Sequence, residues 1–267
     1  MAPTLAGLYV YPVKSAAPLC PATAVVEPRG LRGDRRWMIV DADGAFLTGR
    51  QLPRLTLLRA TPVEDGLLLE APDLPARHLA VPDPAAPRLA VRVWNSTVDA
   101  ALADPAAQDW ISRFLGREAR FVYMDDAARR PVDTTYAAPG GEVSFADGFP
   151  LLLISQAALD DLNARLATPV PMLHFRPNLV VGGTAPHAED GWRRVRIGSI
   201  VFDVVKPCTR CVFTTVDPER GAFAADGEPL RTLITYRRGA KGVTFGQNLI
   251  ARGTGTLCLG DPVEVLA

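Results

Sequence analysis

Proline and glycine divide this chain into short apolar runs, and that spacing restricts its fold more than any other feature. The 267 residues include 24 Pro and 22 Gly. Between them lie runs rich in Val, Ile, Leu, Phe and Trp, the composition of strands bounded by turns. Leu5–Val13 is the first, before Pro18 and Pro21 interrupt. Trp37–Val40 and Ala45–Leu47 flank Asp41–Ala42–Asp43–Gly44, a hairpin signal that ends in Asp-Gly. Asp65–Gly66 turns into Leu67–Leu69, residues 71–88 read as a Pro- and Ala-rich surface connection, and Val91–Trp94 is another short strand. Later candidates are Leu151–Ile154, Leu179–Val181, Val195–Phe202, Cys211–Val216, Val243–Phe245, Gly255–Leu259 and Val263–Leu266.

Two stretches carry a helical period. Asp104–Pro105 supplies an N-cap acid and a proline at the first helical position, Trp110, Ile111, Phe114 and Leu115 form an apolar face, and Gly116 ends it. Ser155 caps a second, in which Leu159, Leu162 and Leu166 share a side. Asp125–Gly141 is polar, contains Pro and Gly, and reads as a loop. The expected class is therefore α/β, mixed and β-rich, built as barrels or curled sheets. The first helix closes a domain over 1–118, and 119–267 forms a second. Internal repeats, a G-x-G-x-x-G fingerprint and a P-loop are all missing from the sequence, which argues against a Rossmann oxidoreductase and a nucleotide hydrolase.

The 29 basic and 29 acidic residues cancel, so no general attraction to nucleic acid or to an anionic membrane is expected. The start of the chain lacks a basic stretch followed by a long apolar one, and no apolar run approaches the ~18 residues of a spanning helix. Four cysteines in a chain of this length do not form a disulfide framework. A reducing, cytoplasmic setting follows.

Two of those cysteines, Cys208 and Cys211, sit three apart and are flanked by Lys206 and Arg210. Neighbouring cations favour the thiolate, the form that attacks electrophiles and binds metals. A β-branched run directly after Cys211 would hold its sulfur at the end of a strand. Cys20 and Cys258 are single and distant, and His78, His174 and His187 show no ligand spacing, which speaks against structural zinc. Val, Phe, Thr, Thr and Val after Cys211 oppose the helix that a thioredoxin-type pair needs. Two buried cysteines acting as small apolar groups are the plainer alternative, set against the difficulty of burying Arg210 between them.

Other polar groups cluster at strand ends. Tyr11–Ser15 ends on Lys14 and a hydroxyl, Gly33–Trp37 places Arg35 and Arg36 before a strand, and Arg176 precedes another. Such groups position phosphates, or are solvated rim charges. Asp147, in Asp147–Gly148, is either a turn former or a catalytic acid. Gln247 and Asn248 offer amides to a flat ligand, or form a turn.

Together, residues 206–218, Phe175–Asn178, Thr244–Asn248 and Gly255–Val265 resemble the MOSC domain, shared with the C-terminal part of molybdenum cofactor sulfurases. Tyr11–Ser15, Gly33–Asp41 and Arg50–Gln51 resemble the β-barrel domain that precedes it in the same family. The pattern is similar to the amidoxime-reducing components and bacterial relatives that detoxify N-hydroxylated bases. The resemblance implies an N-terminal β-barrel-like domain followed by a MOSC β-barrel domain, with a molybdenum cofactor (Mo-molybdopterin) in the cleft between them. It implies that Cys211 gives its thiolate to molybdenum, a soft donor for a redox metal, and that Cys208 does not. By the same matching, Lys14, Ser15 and Arg35 hold the cofactor's anionic tail. Arg176, Asn178, Thr209, Arg210, Gln247 and Asn248 line the pterin, and Asp147 stands near the metal as a proton relay.

The implied reaction is two-electron reduction of a small N-hydroxylated substrate, independent of pyridoxal phosphate. The chain carries no ferredoxin-type cysteine set, so electrons are expected from a separate ferredoxin-, flavodoxin- or cytochrome b5-like protein with its reductase. Animal members have an N-terminal targeting and anchoring segment, whereas this chain starts at the first strand, and they place an aromatic where it has Gln247–Asn248. A monomer without membrane or nucleic-acid partners is expected. Two other readings stay open: sulfur transfer with a persulfide on Cys211, and a non-catalytic cofactor carrier.

Overall fold

In the computed structural model, which describes residues 2–137 and 140–267, the chain builds two β-rich bodies with few helices. It begins with β1 (Thr4–Leu8), β2 (Thr23–Glu27), β3 (Gly30–Leu31) and β4 (Trp37–Val40). Then come β5 (Arg59–Val63), β6 (Gly66–Glu70), β7 (Arg77–Ala80), β8 (Arg88–Val93), β9 (Ser96–Leu102), α1 (Pro105–Leu115) and β10 (Arg120–Tyr123). The second half follows with β11 (Leu151–Ser155), α2 (Gln156–Asn163), β12 (Leu179–Gly182), β13 (Arg194–Ile197) and β14 (Ile200–Thr209). The last elements are β15 (Val216–Asp217), β16 (Ala222–Phe223), α3 (Leu230–Tyr236), β17 (Arg238–Gly239), β18 (Gly242–Ala251), β19 (Gly255–Cys258) and β20 (Val263–Val265).

The first body packs the sheet β4-β10-β9-β8 and the meander β5-β6-β7 around α1. Trp37, Leu55, Leu69, Ile111, Phe114 and Phe121 share its main core. As the sequence indicates, Asp104 accepts from the Ala107 N–H at 2.9 Å, Pro105 opens the helix, and Gly116 leaves it in the left-handed region at φ 66°.

The second body is a nearly closed barrel of order β1-β12-β11-β18-β14-β13-β20. Its closing stave comes from the chain start. β1 pairs antiparallel with β12, and Thr4 bridges to Pro262 on the other side, where the Leu5 N–H reaches the Asp261 carbonyl at 2.9 Å. β2 pairs with β19, so Leu5, Leu8, Val26 and Leu31 share one core with Leu153, Leu249 and Leu257. In return β10, after α1, pairs with β4 and β9 of the first body. The backbone thus crosses between the bodies more than once, and strand ends from both face a common cleft.

Several elements differ from the sequence reading. The connection expected over residues 71–88 contains β7, and Val195–Phe202 is two strands joined by a turn at Gly198–Ser199. The second helix stops at Asn163, whose side chain bonds both the N–H and the C=O of Val170 and turns the chain. The Cys211–Val216 run is not a strand. It is a 3-10 turn over Val212–Thr215, because Thr214 Oγ1 donates to the Cys211 carbonyl at 2.9 Å and Thr215 Oγ1 to that of Val212 at 2.8 Å. These local bonds compete with a ladder and win. Of the loop expected over Asp125–Gly141, residues 138 and 139 lie outside the described residues. Among the described residues no helix is long and apolar enough to cross a membrane.

Gly246 sits in β18 with φ 80°, and a Cβ there would lie 2.7 Å from the Leu153 carbonyl oxygen and 2.6 Å from Ile154 Cγ1. Gly246→Ala combines backbone strain with a clash against β11. It is expected to destabilise the barrel by about 1–3 kcal/mol, measured as a lower urea midpoint at unchanged slope. A wild-type midpoint would contradict this packing.

Candidate functional site

The cleft is lined at strand ends from both halves of the chain. Lys14 and Ser15 follow β1 and are anchored where the Lys14 N–H bonds the Trp37 carbonyl at 2.8 Å. Arg35 stands just before β4, Asp147 before β11, Arg176 and Asn178 before β12, and Cys208–Cys211 at the end of β14. Ser15, Arg35 and Arg176 have φ of 68°, 49° and 53°, a left-handed backbone that side-chain-bearing residues seldom take. Such strain persists where the surroundings over-determine it, and it gathers at functional sites.

Cations dominate the walls. Arg35 Nη1 donates to Asp34 Oδ2 at 2.6 Å and to Asn178 Oδ1 at 3.2 Å, while Asp34 Oδ1 accepts from the Tyr11 N–H at 2.8 Å. Both Arg35 and Arg176 lie against the Tyr11 ring, 4.3 and 4.2 Å from its centroid. Burial pushes the Arg176 pKa down to about 10, and its Nη2 is buried with no hydrogen-bond partner among the described residues. An unanswered buried donor costs free energy unless a ligand meets it.

Lys14 Nζ donates to the Phe145 carbonyl at 2.7 Å and to Asp147 Oδ1 at 2.6 Å. Burial drives the Lys14 pKa down to about 8 against the pull of Asp147. The cleft walls around Asp147 work against its charge, but Lys14, the Trp94 N–H and Arg50 prevail and hold its carboxyl well below the usual range. Its side chain is 73% exposed to the open cleft.

The two thiols differ. Cys211 is exposed, whereas Cys208 is half-buried and burial pushes its pKa up. Arg210 lines the cleft, and three of its five N–H donors go to backbone. Its Nε and Nη2 donate to the Phe245 carbonyl, at 2.8 and 2.5 Å, and its Nη1 to the Phe175 carbonyl, at 2.9 Å. Thr209 and Asn248 line the cleft, and Asn248 Nδ2 donates to the Lys206 carbonyl at 3.1 Å. Gln247 does not join them: its Nε2 donates to Asp190 Oδ1 at 2.8 Å, on the other face of β18. Successive strand residues point to opposite faces, so Gln247 and Asn248 cannot both face one ligand.

Three residues not given a role from sequence, Arg130, Trp94 and His174, also belong here, together with Arg50. Arg130 is buried behind Asp147, donating to the carbonyls of Ser144 and Ala146 and, at 2.8 Å, of Asp147 itself. Trp94 Nε1 donates to Asp147 Oδ1 at 3.2 Å, and Arg50 lies 4.2 Å over the Trp94 ring. His174 lines the cleft with Nδ1 2.8 Å from the Thr214 carbonyl. A carbonyl only accepts, so Nδ1 carries the hydrogen and Nε2 is the accepting nitrogen. Arg130 and Trp94 have no motif, His174 stands next to the Phe175–Asn178 segment, and Arg50 belongs to the Arg50–Gln51 segment.

Comparison with known proteins agrees with this architecture. The MOSC N-terminal beta barrel domain matches residues 2–118 and the MOSC domain matches residues 140–264. "Mitochondrial amidoxime-reducing component 1" of Mus musculus is 35% identical over 98% of this chain and 82% of its own length. The Homo sapiens protein of that name is 34% identical over 98% and 83%. "Mitochondrial amidoxime reducing component 2" of Rattus norvegicus is 33% identical over 97% and 82%.

Burial lowers the His174 pKa below its ordinary 6.5. The unfolded chain therefore takes up this proton before the folded one does, and the contribution of His174 to stability, complete above 6.5, is lost as pH falls below it. His174→Asn keeps a donor for Thr214 but cannot titrate. Between pH 7.5 and 5.5 the urea midpoint of wild type is expected to drop further than that of H174N. Equal drops would show that the imidazole is not held neutral.

Proposed function

The chain belongs to the MOSC-domain family of the amidoxime-reducing components, and we propose that it is a molybdenum-cofactor-dependent reductase of small N-hydroxylated compounds, supplied with electrons by a separate donor protein. The observation that carries this reading is the orphaned buried Nη2 of Arg176, in a cleft whose cations exceed its carboxylates and which opens on Cys211. An anionic, flat group fits that set. Among the described residues no three His, Cys, Asp or Glu side chains come together as a metal cage. A metal at Cys211 would thus bring its other donors with it, as molybdenum does in molybdopterin.

When bound, the cofactor supplies the two electrons that cleave the N–O bond, the oxygen leaving as water. Cys211 would give the one protein thiolate. Lys14, Ser15, Arg35 and Arg176 would answer the anionic tail, with Asn178, Thr209 and Asn248 beside the pterin. Arg210 fixes the backbone around Phe175 and Phe245 and stands in the same cleft wall, beside the pterin. Asp147 is a carboxylate at neutral pH, so it accepts hydrogen bonds from substrate and passes protons without storing one. Lys14, with its pKa near 8 and its Nζ on Asp147, is the adjoining proton holder. Arg130 keeps the Asp147 backbone in place. The four unpaired cysteines fit a reducing compartment, and we place the chain in the cytoplasm.

Metal and pterin analysis of freshly purified protein tests the reading. Molybdenum and pterin near one per chain are expected. Cys211→Ala should fold, lose the metal and lose all hydroxylamine reduction, while Cys208→Ala keeps most of both; the reverse pattern would move the ligand to Cys208. No flavin or dinucleotide fingerprint is present in the sequence, so NADH alone should give no turnover. A dithionite-reduced dye should restore it. Robust NADH-driven reduction by the isolated chain would contradict the need for a donor protein.

A further inference from the structure

Trp94 occupies a place that a hairpin ordinarily gives to glycine. β8 and β9 are joined by the two residues Trp94 and Asn95, after the last pair Val93–Ser96. Trp94 has φ 55°, and a positive φ at the first turn position is the mark of a turn that favours glycine. Core packing does not explain a large aromatic here. Val91 and Val93 of the same strand are fully buried, whereas Trp94 is 45% exposed.

Two of its three neighbours, Asp147 and Arg50, line the cleft. The indole N–H bonds Asp147 Oδ1 at 3.2 Å, Arg50 sits 4.2 Å from the ring centroid, and Phe46 meets the ring at 5.3 Å and 59°. Arg50 is also 6.0 Å from Phe46, so these two neighbours lie close to one another, and neither covers the face opposite Arg50. Asp147 Oδ2, at the same edge of the indole, has no donor among the described residues. A strained, half-exposed aromatic is thus locked by its edge and one face, with its other face free beside an open carboxylate oxygen.

We propose that the free face of Trp94 is a stacking platform for the substrate, so that the site selects planar, aromatic N-hydroxylated compounds. A plate stacked there brings its edge N–H or O–H donors to Asp147 Oδ2. An aliphatic compound makes the second contact without the first. The nature of the reacting group rests on the reductase reading above; the platform itself does not.

Calorimetric titration of the full chain, as purified and without reductant, tests the platform. The probes are benzamidoxime and acetamidoxime, which share the reacting group and differ by the ring. Wild type is expected to bind benzamidoxime more tightly. Trp94→Ala should lose roughly three- to tenfold for benzamidoxime and less than twofold for acetamidoxime. Trp94→Phe keeps a ring without the N–H and should retain most of the preference, which also covers the case in which the alanine variant folds poorly. The proposal is overturned by wild-type affinities in Trp94→Ala, by equal losses for both probes, or by Trp94→Phe falling as far as Trp94→Ala. Turnover is scored apart. Ring-dependent binding without reduction of either probe would sink the reductase reading and leave the platform standing.

Discussion

Two guanidinium groups from opposite halves of the chain lie against the single ring of Tyr11. That arrangement is unfavourable by charge alone, and the rest of the cleft depends on how it is held. The ring gives each cation a favourable face. Asp34, fully buried, pairs with Arg35 and fixes the Tyr11 N–H with its other oxygen. Arg35 also donates to Asn178 and to the Arg176 carbonyl, so the cation of one body grips the backbone that carries the cation of the other. Breaking a buried pair of this kind by removing one partner typically costs about 3–5 kcal/mol. The positive excess is therefore held in place and offered to a ligand.

Barrel closure is what makes that grip possible. β1 is a stave of the second body, while the segment that follows it supplies Tyr11, Lys14 and Ser15 to the cleft. The two bodies cannot separate as beads on a string without opening the β1–β12 ladder and the Thr4–Pro262 bridge. A cofactor gripped from both sides would accordingly be held by a seam that is also part of the second core, through Leu5, Leu8, Val26 and Leu31.

Local signals carried far in the sequence. The cap, proline and glycine of α1 are short-range chemistry, and they appear where the sequence places them. Lys14, Ser15, Arg35, Asp147, Arg176, Asn178, Arg210 and Cys211 converge because they flank strands whose ends meet at the barrel mouth, with Thr209 at the end of β14 and Asn248 inside β18 beside them. What failed to show was long-range or alternation-dependent. The partner of β1 lies more than 170 residues away. Gln247 and Asn248 looked equivalent until β18 put them on opposite faces. Thr214 and Thr215 looked like strand residues, but their hydroxyls reach back to the backbone and build a turn. Trp94 read as the end of a strand, and its left-handed turn conformation has no counterpart in composition.

The cations around the cleft sort by what their donors touch. Arg210 and Arg130 are turned to backbone carbonyls, so their charge stiffens the walls at Phe245 and at Ser144–Asp147. Their own backbones are unstrained by φ. Arg35 and Arg176 sit in the left-handed region, and Arg176 keeps a buried donor without a partner. Strain and an unmet donor on one residue are both unfavourable, and neither improves packing. A ligand that supplies an acceptor there offsets the missing hydrogen bond, and the pre-set backbone spares it the cost of ordering the arginine. The same logic applies to Trp94, whose φ is also left-handed, which is 45% exposed and which contacts Asp147 and Arg50 of the cleft wall. Around the cleft, then, Ser15, Arg35, Arg176 and Trp94 carry the left-handed backbone and the arginines turned to carbonyls, Arg130 and Arg210, do not, while Asp73 and His187 carry it elsewhere in the chain.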